Sequence, residues 1–178
     1  MNKTTQNEQL TKIGNLVSSQ LLKYEVIIVL VFLTGLVLRL TTDLKVSALI
    51  ILSLNTLATL YFFSAFSVPK DENANGLEIF INKLASFSSS VAIIGILFRL
   101  QHWPGYNNMI ILGCITLIIL IPVILIIKSK KPDLTIFNQR LIIRLALVAV
   151  LGLFINFAPK DTLIKAGLDK KIPVEKIE

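Results

Sequence analysis

Gly95-Ile96-Leu97-Phe98-Arg99-Leu100-Gln101-His102-Trp103-Pro104-Gly105 closes one apolar run, and a second apolar run begins just beyond it. In Trp103-Pro104-Gly105 the proline fixes φ at the first turn position and the glycine permits positive φ at the second, as a type II turn requires. A tight, rigid turn between two greasy segments reads as a helical hairpin. The basic side chain of Arg99 sits one turn ahead of His102, at the end of the first helix.

Working outward, apolar stretches recur at roughly 26–40, 46–68, 84–100, 109–127 and 141–158. At about 1.5 Å rise per residue, each spans or nearly spans a hydrocarbon core of about 30 Å. Backbone groups in lipid must be paired within their own segment, which makes these helices. With 54% apolar and 16% charged residues and a positive mean hydropathy, the chain is too apolar for a soluble domain of its size. The expected fold is all-α: a polytopic transmembrane bundle of about five helices, organised as two tandem parallel hairpins plus one further helix. The corresponding divisions are a polar or amphipathic segment 1–24, hairpin 25–68, cytoplasmic loop 69–83, hairpin 84–127, basic loop and fifth helix 128–158, and polar tail 159–178.

The net charge of +7 is spread over short loops and helix ends rather than along one basic face, so no nucleic-acid partner is expected. Ten Lys and Arg residues, from Lys3 to Arg144, fall on one side of the alternating helices. Only Arg39, Lys45 and Arg99 fall in the short loops of the other. This asymmetry places the N-terminus in the cytoplasm of an inner-membrane, multi-pass protein, although five lysines in the tail count against it. No cleavable signal peptide is evident before the first apolar run. Leu10, Ile13, Val17 and Leu21 recur at helical spacing, so residues 10–21 either lie on the membrane surface or extend the first helix.

At an offset of 60, Gly35, Arg39, Leu40, Ile50, Ile51, Leu52, Thr56, Leu57 and Leu60 fall on identical residues, nine positions in the 26 from 35 to 60. Shared Gly and Arg are not apolar background, which points to an internal repeat of the hairpin. Within the second hairpin Ser88, Ala92, Gly95 and Arg99 share one helix face, and small residues there permit close helix contact. Arg99 either snorkels outward or pairs with a neighbouring helix. Arg144, one turn inside the fifth run, is expected to snorkel to the headgroups.

Reactive chemistry is sparse. His102 is the only histidine, which excludes a multi-histidine metal site within one chain; no cofactor is expected, and His102 reads as a helix-end residue. Trp103 and Tyr106 are expected at the headgroups. Every Asp and Glu falls in tails or loops or, for Glu25, at the entrance of the first helix, so no carboxylate is expected inside the bundle. Asn55, Thr56, Thr59 and Thr116 are expected to bond between helices. Ser88-Ser89-Ser90 has no nearby base and Cys114 no neighbouring histidine, so an enzyme is not expected.

The Phe98-Arg99-x-x-His102-Trp103-Pro104-Gly105 pattern resembles the transmembrane hairpin of GldL, an inner-membrane motor subunit of gliding motility and type IX secretion. The family typically has lysine at the position of Arg99. The ending Tyr61-Phe62-Phe63-Ser64-Ala65-Phe66 is similar to the close of that family's second helix. The resemblance implies a Bacteroidetes-type envelope and places the family's proton-motor glutamate at Leu57, with Leu117 as its repeat equivalent. Both are leucines, and the family's long cytoplasmic region has no counterpart here. The expectation is therefore a GldL-like scaffold that self-associates or docks a membrane-protein partner within the lipid bilayer. The alternative is a small transporter or channel subunit with Asn55, Thr56 and Arg99 along its pathway.

Overall fold

A computed structural model describes residues 3–41, 47–67 and 74–165. Among these, six helices follow one another: α1 (Lys3–Thr41), α2 (Ser47–Ser64), α3 (Gly76–Leu100), α4 (Tyr106–Lys130), α5 (Gln139–Phe157) and the short α6 (Lys160–Lys165). No strand occurs among the described residues. Helices α1, α3, α4 and α5 are long and apolar enough to cross a membrane, and α2 is a shorter apolar helix. The result is an all-α bundle of the membrane class.

The segment 10–21 is an extension of the first helix: α1 runs unbroken for 39 residues, about 58 Å. Its inward side chains there, Val17 and Leu21, are buried. Gly14 lies so close to α2's end that a Cβ would come within 2.6 Å of the Phe66 carbonyl carbon. At the other end of α2, a Cβ on Gly35 would meet Ile50 Cγ1 at 3.2 Å, which fixes α1 and α2 as an antiparallel pair.

Helix α3 begins at Gly76, well ahead of the apolar run, because Asn75 and Glu78 form a capping box that satisfies the first backbone donors. Its small-residue face packs on α4. A Cβ on Gly95 would stand 2.7 Å from the Ile110 nitrogen, and one on Gly113 would stand 2.7 Å from the Ala92 nitrogen. These reciprocal contacts give α3–α4 the closest kind of helix approach. The pair Gly35–Ile50 in the first hairpin and Gly95–Ile110 in the second are separated by the same 60 positions seen in the sequence.

Helix α5 packs on both α3 and α4, seating Gly152 against the buried Cys114 sulfur. Helix α2 is joined to α3 by the buried hydroxyl of Ser90, which donates to the Ala58 carbonyl at 2.8 Å. Phe62, Phe66 and Phe87 add edge-to-face ring contacts across the same interface. Helix α1 packs along α2. Between α1 and α5 a cleft remains open.

Candidate functional site: a charged cluster in the α1–α5 cleft

The hairpin turn is built as its residues require, with one addition. Gly105, at φ 85° and ψ −5°, occupies the second turn position and starts α4. His102 also has positive φ, 57°. The His102 amide donates to the Arg99 carbonyl, and the Trp103 amide donates to the Phe98 carbonyl at 2.8 Å. This is a Schellman termination with histidine where glycine is usual. The apolar contact that accompanies the motif is supplied by Phe98 and Trp103, whose rings meet edge to face at 5.1 Å. Arg99 places its guanidinium 5.0 Å from the centre of the Tyr106 ring, bracing the two helices together. Its Nε is buried without a hydrogen-bond partner.

At the opposite end the hairpin is closed by an ion pair. Glu78, 4% exposed, accepts from Lys131 Nζ at 2.7 Å. The carboxylate thus serves α3 as a cap partner and α4 as a counter-charge. Buried Ser88, Ala92 and Gly95 lie between these two closures.

The second charged cluster corrects the sequence reading of Arg144 and Glu25. Arg144 does not snorkel away from the bundle: its side chain is 14% exposed and faces Glu25, itself 20% exposed, across 4.0 Å. Its guanidinium lies 4.9 Å from the centre of the Tyr61 ring. The Tyr61 hydroxyl donates to Glu25 Oε1 at 2.5 Å. Three helices, α1, α2 and α5, therefore meet at one acid, one phenol and one base. Glu25 lies 16 residues before the end of α1, about 24 Å along the helix, near one face of a 30 Å core rather than at its centre.

Glu25 and Arg144 of this cluster line a cleft of about 880 Å³ between α1 and α5. The cleft is graded. One end carries Ser18, Ser19, Asn82, Asn138 and Arg140 alongside Leu21, Leu22 and Leu141; the other is walled by Val26, Val29, Leu30, Ile143 and Leu147. The start of α5 opens into it, with Asn138 capping the helix by accepting from the Leu141 amide at 2.8 Å.

The remaining expected residues lie apart from this cluster. Asn55 and Thr56 are exposed on the outer face of α2, and the Thr56 hydroxyl bonds back to its own helix at the Leu52 carbonyl. Thr59 and Thr116 do the same, at the Asn55 and Leu112 carbonyls, so these threonines satisfy their own helix rather than bridging to a neighbour. Arg39 lies in the last turn of α1, and its side chain is outside the described residues. Among the described residues no group of acids, histidines and cysteines could hold a metal. Sequence reasoning did not find the Glu25–Tyr61–Arg144 cluster or the Glu78–Lys131 pair. The signal available for the first was a glutamate at the very start of one apolar run and an arginine one turn inside another, on the same side.

Fold and charge placement together define a multi-helix membrane protein. Residues 84–136 match the family model of the GldL N-terminal domain. The match covers α3 from Leu84 onward, all of α4 and most of the loop that follows, so the similarity is local. No curated protein and no solved structure matches the chain.

Proposed function

We propose that this chain is a multi-pass inner-membrane protein with a structural or partner-docking role, its N-terminus and basic loops in the cytoplasm. One observation carries the reading: the GldL-like hairpin is a packed, clamped unit that contains no carboxylate between Glu78 and Asp133. Leu57 and Leu117, where the resemblance places the motor's glutamate, are buried apolar residues. Intramembrane acids are the usual carriers of proton-driven work. Here Glu25, a half-buried acid on α1, is already engaged by a phenol and a guanidinium, which suits a clamp better than a carrier. The equal spacing of Gly35–Ile50 and Gly95–Ile110 supports descent of the two hairpins from one repeated unit.

The transporter reading gains no support from Asn55 and Thr56, which turn away from the bundle interior. The deciding experiment is reconstitution of the full chain in vesicles with an imposed pH gradient. The gradient should decay as in empty lipid. Protein-dependent decay abolished by Glu25→Gln would replace the structural reading with a proton-conducting one.

A further inference from the structure

We propose that the α1–α5 cleft is a binding site for one anionic phospholipid, its phosphate held beside Arg140 and the start of α5 and its acyl chains laid along Val29, Leu30, Ile143 and Leu147. The inference requires that the helices cross the bilayer and does not depend on the docking role proposed above.

Three independent features converge on this ligand. The first is the grading of the cleft, polar at the end where the basic loops lie and aliphatic toward the membrane interior. A headgroup followed by hydrocarbon has the same order. At about 880 Å³ the space is at the large end of small-molecule sites, more than a free phosphate would fill. The second feature is charge. Arg140 is exposed at the rim and has no ion-pair partner among the described residues. Arg144 lines the cleft one turn further in, its Nη1 4.0 Å from Glu25 Oε2. Glu25 offsets part of this field, and two arginines against one carboxylate leave the corner net positive. The third is the positive end of the α5 dipole, which adds to the two arginines at the same corner. Basic pockets between membrane helices on the cytoplasmic side are sites for anionic headgroups. A partner's transmembrane helix fits less well, since its apolar surface would cover the exposed guanidinium of Arg140 without a counter-charge.

The test uses the full chain purified in detergent, stripped of lipid and mixed separately with phosphatidylglycerol or phosphatidylcholine, with retained lipid read by native mass spectrometry. One phosphatidylglycerol should be retained, in clear preference to phosphatidylcholine. Arg140→Gln, a change at an exposed position, should weaken retention about fivefold, the weight of one basic residue at an anionic surface. Leu147→Trp should reduce it by filling the aliphatic wall, and excess inorganic phosphate should fail to displace the lipid. Equal retention of the two lipids, an Arg140→Gln protein that binds like the original, or displacement by phosphate alone would overturn the proposal. So would a photocrosslinker at Leu147 that captures a protein helix and no lipid in native membranes.

Discussion

The hydroxyl of Tyr61 donates to the carboxylate of Glu25 at 2.5 Å across the α1–α2 interface. Arg144 lies over the Tyr61 ring and faces the same carboxylate, so one tyrosine links the acid of one helix to the base of another.

That linkage has a measurable weight. Hydrogen bonds to charged groups contribute about 1.5–3 kcal/mol, so Tyr61→Phe should lower stability by about that much, read as a fall in detergent melting temperature. Arg144→Leu should cost more than Arg144→Leu combined with Glu25→Gln, because the single change leaves a carboxylate largely out of water. Additive losses would show that the two charges do not interact.

The two hairpins should respond unequally to bulk. Gly95→Leu drives a side chain into the Ile110 backbone, whereas Gly35→Leu first meets a movable Ile50 side-chain carbon. The first should cost about 1–3 kcal/mol and the second less. Melting temperatures of both variants, with their oligomer distributions, check the order.

His102 holds a left-handed conformation that costs a non-glycine residue about 1–2 kcal/mol. His102→Gly should therefore stabilise the protein, by about 1 kcal/mol after the greater freedom of glycine in the unfolded chain is counted. A loss of stability would mean that the imidazole itself contributes more than the strain it imposes.

Topology is open to single-cysteine labelling in a Cys114→Ala background. Cysteines at Asn107 and Asp133, both exposed, lie at opposite ends of α4. An impermeant reagent added outside should modify the first and spare the second.

Much of the fold is legible in the residues. Apolar length gives the helices, Pro104-Gly105 gives the turn, and the Ser88-Ala92-Gly95 spacing gives the face on which α3 meets α4. What sequence conceals is the rotation of separate helices toward each other. Arg144 one turn inside an apolar run has the same pattern whether it reaches for headgroups or for Glu25, and only the packing of α5 on α3 and α4 turns it inward. Asn55 and Thr56 mislead for the same reason. A threonine in an apolar helix can satisfy its own backbone, as Thr56 does, and so carries no information about a neighbour.

The α3–α4 hairpin is fastened at one end by Glu78 and Lys131, at the other by Phe98 with Trp103 and Arg99 with Tyr106, and in between by glycines with no room to give. Sliding one helix past the other would break both fastenings at once. The unit therefore moves as a stiff rod about 37 Å long, the length of α3's 25 residues. A push or twist applied to the Lys131 loop on one side of the membrane emerges at Trp103 on the other with little lost to internal slack.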